Sequence, residues 1–325
     1  MYCKNYEDKF EITLERLFDD IKQTADSMEL EFDELKTRKV LSAFSDEFKK
    51  CVVQFKSTDK NDDGLYYRFF YRGNKDLTSI ALNHGLISKN ATSALALQPE
   101  ILMKLPDSTR AGLDFHTKYG FAKEWTFTGL ISIEDFLSTI TQLPDSVYNK
   151  IDYFKTHQLN RVLFTAVDVI NETMNVYFHW DHECRNRAWI KKMAASIGAK
   201  VPLSSECDKI INSQVNVGGV GVTFRWDSSE IERWCLYSLN IPMEDYKFPM
   251  DHSLEFLKNI QILNKMPQYN VAWSFSKDEN YLKLEKSYAK DATWFLTKMG
   301  GDLSPVGKTY LNGFDPIIPK KSNLK

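Results

Sequence analysis

The spacing of apolar residues changes period along this chain, from three or four to two and back again. Over 5–29, Leu14, Leu17, Phe18, Ile21, Ala25 and Met28 fall on one helical stripe, and a second helix is predicted over 33–47. Two strands follow at 49–56 and 64–72, split by the polar turn STDKNDDG. Helical stretches then run to about residue 105, before strands near 111–118 and 121–129. The order recurs: helices at 132–158, strands at 160–169 and 173–179, helices at 183–212, strands at 214–225 and 230–239. A helix near 252–263, strands at 268–276 and 280–288, and a helix at 289–299 complete the pattern. The result is five hairpins, each separated from the next by helix.

Hairpins make antiparallel pairs, which excludes a parallel βαβ sheet. Ten antiparallel strands with the helices between pairs predict an α+β fold. Its sheet is a closed ten-stranded antiparallel barrel surrounded by α-helices, because closure removes exposed edges. The alternative is an open sheet divided between two α+β domains, but no Pro/Gly/Ser-rich linker marks a division. Residues 1–303 are therefore read as a single barrel domain. Residues 304–325, with three prolines and several lysines, are read as an extended or mobile tail.

Side-chain alternation then asks what the barrel would enclose. In the stretch GLYYRFFYRG, Tyr66, Arg68 and Phe70 share one face, which places a guanidinium between aromatics. The second strand of each later hairpin behaves alike: Lys123, Trp125 and Phe127; Thr173, Asn175 and Tyr177; Arg233, Cys235 and Tyr237; Tyr281, Lys283 and Glu285. The opposite faces, such as Met174, Val176 and Phe178, read as surface for helices to pack on. The lumen is thus expected to be polar, cationic and aromatic, with the oily face outward. Converging lysines and arginines need a compensating anion, for which a diphosphate is suited, and aromatic faces stabilise a carbocation. The competing reading is that these charges form the solvent face of open sheets.

Composition adds limits. At 325 residues, 43% hydrophobic and 13% aromatic, the chain can bury a large core, and its net charge of −2 points neither to nucleic acid nor to an anionic membrane. No apolar run approaches about 18 residues, and the start MYCKNYEDKFE lacks a signal peptide's apolar region. Cys3, Cys51, Cys184, Cys207 and Cys235 form no C-x-x-C pair, which suits a reducing cytoplasm. A cytoplasmic monomer is expected.

Competing motifs are weak. VGKTY at 306–310 has the wrong glycine spacing for a P-loop and no strand leading into it. In GGVGV, within a strand, Gly219 and Gly221 are read as leaving room for a ligand. HWDHEC at 179–184 spans a strand end and a helix start, which disfavours a zinc site. Asp19-Asp20 lies on an amphipathic helix without the third acid of a trans-prenyl synthase motif and reads as a solvated face.

Over roughly residues 5–300, the segments VVQFKS, GLYYRFFY, GFAKEWTF, NVYF, FRWDSSEIERWC and ENYLKLEKSY, in this order and spacing, resemble a known family. It is the soluble aromatic prenyltransferases with the antiparallel ABBA barrel, the group of the clorobiocin- and naphterpin-pathway enzymes and their fungal relatives. The resemblance implies diphosphate-binding cations at Lys56, Lys123, Arg233 and Lys283, with Asn175 and Tyr177 as hydrogen-bonding partners. Magnesium-dependent members carry an aspartate at the position of Tyr66; magnesium-independent members carry basic residues at those of Lys56 and Arg68. This chain has both basic residues, so the resemblance implies no metal and no other cofactor. Glu285 matches a carboxylate that engages the aromatic acceptor. Two positions depart from the pattern: Gly221 replaces a diphosphate-contacting tyrosine of some relatives, and Leu163 a polar acceptor-site residue.

The resemblance therefore implies a Friedel–Crafts transfer. Lys56, Arg68, Lys123, Arg233 and Lys283 would hold dimethylallyl diphosphate. Tyr66, Phe70, Trp125, Tyr177, Leu163, Gly219, Gly221 and Tyr237 would line the prenyl and aromatic pocket. A phenol or hydroxynaphthalene would attack the allyl cation, with Glu285, Lys123 and Arg233 in catalytic roles. The alternatives are an indole acceptor and a non-catalytic barrel that binds an anionic aromatic.

Overall fold

A computed structural model of the chain describes residues 12–60, 63–73, 75–88, 95–213, 217–242, 263 and 268–290. Ten strands form one closed antiparallel barrel: β1 (Val52–Thr58), β2 (Tyr66–Gly73), β3 (Thr109–His116), β4 (Gly120–Ser132), β5 (Arg161–Asp168), β6 (Thr173–His179), β7 (Val217–Arg225), β8 (Ile231–Pro242), β9 (Gln268–Ser276) and β10 (Asn280–Ala289). Each strand pairs with its sequence neighbours, and β1 closes the ring on β10. No strand is left as an edge.

The helices named here are α1 (Leu14–Ser27), α2 (Glu34–Ala43), α3 (Ser45–Lys50), α4 (Leu77–Asn83), α5 (Leu97–Lys104), α6 (Ile133–Thr139), α7 (Asp145–Tyr148), α8 (Ile151–Thr156), α9 (Arg187–Ser196) and α10 (Ser204–Asn212). Their starts follow from capping chemistry: Thr13 accepts from the Arg16 amide at 3.2 Å, Asp33 from that of Lys36 at 2.9 Å, and Asn186 from that of Trp189 at 2.9 Å. The apolar stripe of α1 buries Leu17, Phe18, Ile21 and Ala25.

The main hydrophobic core lies between helices and barrel rather than inside the barrel. The outward residues Tyr67, Phe69 and Phe115 meet Phe44 and Phe48 from the helical layer. Phe48 packs edge-on to Phe69 with ring centroids 5.1 Å apart, and Phe44 lies 5.5 Å from Phe115. Each such ring contributes about 1.5–3 kcal/mol by its burial.

Several expected boundaries move. Residues 45–50 are helical, so β1 begins at Val52 rather than 49. Asp46 and Glu47 in the first turn of α3 and Lys49 and Lys50 in its last complement the helix dipole, which favours helix locally. The helices expected over 132–158 are three short ones, the first two separated at Pro144, and those over 183–212 are separated between Ile197 and Leu203, across Gly198 and Pro202. Asp20 is buried rather than solvated: Tyr288 of β10 donates to it at 2.5 Å, while Asp19 stays exposed. In the HWDHEC stretch, His179 hydrogen-bonds Asp181 at 3.1 Å and Cys184 donates to Gln158 at 3.0 Å. β10 runs through Ala289, where a helix was expected to begin; the rest of that helix, the one expected near 252–263 up to residue 262, VGKTY and the 304–325 tail lie outside the described residues, as does the start of the first helix.

Candidate active site

Cross-strand register sorts the lumen into two levels. At the end closed by the hairpin turns, inward positions run Lys56–Tyr66–His116, Lys123–Asp168–Thr173, Thr223–Arg233 and Lys283–Thr58 around the ring. Toward the end where the helices connect, Val52, Ala111, Phe127 and Leu130 form a separate apolar cluster, against which Phe70, Trp125, Leu163 and Phe164 pack. The lumen is therefore amphipathic along its axis, charged at one pole and oily at the other.

Between the poles sits a buried ionic network that the alternation of the second strands does not reveal. The Arg68 guanidinium bridges two carboxylates, Asp114 at 3.0 Å and Glu285 at 2.9 Å. Asp114, only 1% exposed, also accepts from the Trp125 indole N–H at 2.9 Å and lies 3.7 Å from Lys56 Nζ. Glu285 accepts in addition from Asn270 at 2.9 Å. Burial opposes the charge on Arg68, but Asp114 and Glu285 outweigh it and hold the guanidinium charged. Glu285, placed by sequence two residues from Lys283, thus pairs with Arg68 instead, because the barrel wall brings β2 and β10 together across β1.

The remaining cations differ in their partners. Lys123 pairs with Asp168 at 3.3 Å. Lys56 lies over the Tyr66 ring, 3.7 Å from its centroid, and burial together with Arg68, Lys123 and Lys283 brings it from 10.5 down to about 8 despite Asp114. Arg233 lies 3.9 Å from Glu232 and 5.8 Å from the centroid of the Tyr281 ring, and its Nε has no hydrogen-bond partner among the described residues. Lys283 donates to Cys235 Sγ at 3.4 Å. Asn175 accepts from Thr223 at 2.6 Å while its buried Nδ2 lacks a partner among the described residues. Buried donors without acceptors are rare and expensive. Here they face a chamber suited to an anion.

Aromatic walls stand beside these donors. Trp125 stacks on Tyr177 with centroids 4.9 Å apart, and Tyr177 meets Tyr237 edge-on at 5.7 Å. Gly221 makes that contact fit, since a β-carbon there would come within 3.0–3.2 Å of both tyrosine rings. Burial pushes the Tyr66, Tyr177 and Tyr237 phenols well above their ordinary range, so all three stay neutral.

The candidate site residues named from the sequence line this chamber: Lys56, Tyr66, Arg68, Phe70, Lys123, Trp125, Leu163, Asn175, Tyr177, Gly219, Gly221, Arg233, Tyr237, Lys283 and Glu285. Missed were Asp114, Asp168, Thr223, Asn270 and Ser274, all on first strands of hairpins. The alternation Leu113-Asp114-Phe115 carries the signal for Asp114, a lone carboxylate between two core side chains.

A closed antiparallel barrel, coated by helices and holding cations and aromatics in its lumen, defines the prenyltransferase-barrel class. The chain belongs to the aromatic prenyltransferase Orf2 family, whose pattern matches residues 12–299. It is 30% identical over 298 residues to an aromatic prenyltransferase of Botryotinia fuckeliana, covering 89% of this chain and 95% of that one. It is 28% identical over 289 residues to the 4-hydroxyphenylpyruvate 3-dimethylallyltransferase of Streptomyces niveus, covering 88% of each. Among solved structures, the barrel matches 6-dimethylallyltryptophan synthase of Micromonospora olivasterospora, in complex with DMASPP and Trp. That match has a TM-score of 0.50 at 10% identity, over 85% of this chain and 98% of the other. Among the described residues no helix is long and apolar enough to cross a membrane.

Proposed function

We propose that this prenyltransferase moves a dimethylallyl group from dimethylallyl diphosphate to an electron-rich phenol or hydroxynaphthalene without a metal ion. The observation that carries this is the pairing, in one lumen, of incompletely satisfied donors at the charged pole with the stacked Trp125–Tyr177 wall beside them. Arg233, Lys283, Lys56 and Lys123, with Asn175 Nδ2, converge where a diphosphate would sit. Held there, they stabilise the negative charge that grows on the leaving group as the allylic C–O bond breaks. The allyl cation is then shielded by the faces of Trp125, Tyr177 and Tyr237. An aromatic ring entering from the apolar pole, past Phe70, Phe127 and Leu163, attacks it and passes a proton to Glu285 to restore aromaticity. Glu285 has one oxygen on Arg68 and the other on Asn270, and each carboxylate oxygen has a second lone pair for a donor on the ring.

The residues present do not fit a magnesium ion. Tyr66 offers a neutral phenol, and the nearby Asp114 is already committed to Arg68, Lys56 and Trp125. Lys56 and Arg68 supply the positive charge at that corner.

The test is diphosphate release and product analysis over a panel of phenols, hydroxynaphthalenes and indoles in excess EDTA. Full turnover with a phenol or hydroxynaphthalene is expected. Activity lost to the chelator and restored by magnesium overturns metal independence, and turnover confined to indoles overturns the acceptor class. Absence of diphosphate release with every aromatic tested would reduce the chain to a binding barrel.

A further inference from the structure

Cys235 lies at the junction of cations and aromatics yet has no part in the transfer proposed above. It follows Arg233 by two residues on the inward face of β8, opposite Gly221 of β7 and Ser274 of β9. Its Sγ receives a hydrogen bond from Lys283 Nζ at 3.4 Å and lies 3.3 Å from Ser274 Oγ. Burial alone would push the thiol up, but Lys283 and Arg233 outweigh burial and bring it below its ordinary value. Lys283 moves the other way, raised against burial chiefly by Cys235. The two shifts run in the direction of a thiolate–ammonium pair. Cys184 and Cys207 show the contrast: burial pushes Cys184 up to about 11 and also raises Cys207.

A second observation, independent of the thiol, points to a ligand at the same wall. Asn175 is 4% exposed and its Nδ2 has no partner among the described residues. Its Oδ1 is held by Thr223, which stands opposite Arg233. One donor that would fix a diphosphate, Lys283, thus touches the sulfur, and Arg233 and Asn175 stand on its own strand and two strands away; the thiolate is the nucleophilic form of cysteine.

We propose that Cys235 is a covalent acceptor site, a thiolate that captures the allylic group of a prenyl diphosphate bound beside it when no aromatic occupies the lumen. This rests on the prenyl diphosphate reading above. The Sγ lone pair forms a bond to the allylic C1, the C1–O bond breaks, and diphosphate leaves with that electron pair. The sulfur's negative charge is consumed in the thioether, and no proton or further reactant is required. Lys283 stays protonated and becomes a counter-ion of the departing diphosphate. The adduct sets a branched apolar group against Tyr177 and Tyr237, so the donor silences the enzyme in the absence of its acceptor.

The test incubates the full chain with dimethylallyl diphosphate and no aromatic, then measures intact mass and maps peptides. One prenyl group on the Cys235 peptide is expected, absent in Cys235→Ser and suppressed by excess inorganic diphosphate. Methyl methanethiosulfonate should modify Cys235 before Cys184 and Cys207, and inorganic diphosphate should slow that reaction. Protein that prenylates an aromatic but gains no adduct without one overturns thiolate capture and leaves the transfer reading standing. An adduct on another cysteine overturns it equally. If the prenyl diphosphate is neither consumed nor captured while methyl methanethiosulfonate still labels Cys235, the transfer reading and the capture fall together.

Discussion

Arg68 and Arg110 stand on adjacent strands, are 3% and 4% exposed, and each meets a buried carboxylate, yet they belong to different regions of the molecule. Arg110 points outward from β3 to Glu124 of β4, which also accepts from Thr78 of α4 at 2.6 Å. Gln98 of α5 donates to the Glu124 carbonyl at 3.0 Å and accepts from Thr165 at 3.2 Å. That network pins helices to barrel. Arg68 points inward, and beyond its carboxylates lie the further cations Lys56, Lys123 and Lys283 instead of a helix. The same ion-pair chemistry is therefore structural where helices cover it and part of a binding chamber where the lumen does. Buried charge alone distinguishes neither.

Breaking the outer network should have the largest effect. Glu124→Ala removes the buried partner of Arg110 and leaves it the largely exposed Asp76 at 3.6 Å, so stability to urea should fall by up to about 3–5 kcal/mol, with the affinity for inorganic diphosphate unchanged in the folded protein. A parallel loss of diphosphate affinity would show that the two regions are not separable. Arg68→Ala should fall by a similar amount, because it leaves Asp114 and Glu285 facing each other without the cation between them. A variant as stable as wild type would make Arg68 a ligand group only.

Arg233→Ala and Lys283→Ala should show the inverse. Each is expected to lower turnover by about 2–4 kcal/mol, as for removing a charge-stabilising donor, with the fold retained. Wild-type kinetics in both would remove the charged pole from the mechanism.

Glu285→Gln should have a smaller and selective effect, about 1.5–3 kcal/mol, the range for a hydrogen bond to a charged group. Transfer to the aromatic should drop and hydrolysis to the prenyl alcohol rise, with prenyl diphosphate affinity nearly intact. Equal weakening of both substrates would make the carboxylate a support for Arg68 alone.

The smallest effect is the pH dependence of Lys56. Held near 8 when folded, against 10.5 ordinarily, it has lost a proton between those values that the unfolded chain keeps. Its contribution to the stability of the unliganded fold therefore rises with pH through that window. A bound diphosphate favours the ammonium, so binding should take up a proton there and weaken by at most about tenfold per pH unit. Calorimetry in buffers of different ionisation enthalpy measures the uptake, and Lys56→Arg should abolish it, since arginine stays charged. No proton uptake above pH 8 would remove Lys56 from the diphosphate site.

Much of this molecule was determined locally. Period-two strands in pairs, separated by helical stripes, specify an antiparallel ring inside a helical coat, because each apolar face must find another. The same alternation fixes which side chains point inward once closure is granted, and so Arg68, Lys123, Arg233 and Lys283 were legible as a group, while Lys56 was legible only through the family resemblance. Which cations are already neutralised was not. Arg68 meets Asp114, 46 residues away, and Glu285 on the far side of β1, and Cys235 finds Lys283 48 residues away. Asp20 sinks beneath Tyr288 although its helix reads as amphipathic. Such pairings depend on distances that exist only after the barrel closes. Coulomb attraction and desolvation act through space, and only the tertiary structure decides which charges share it.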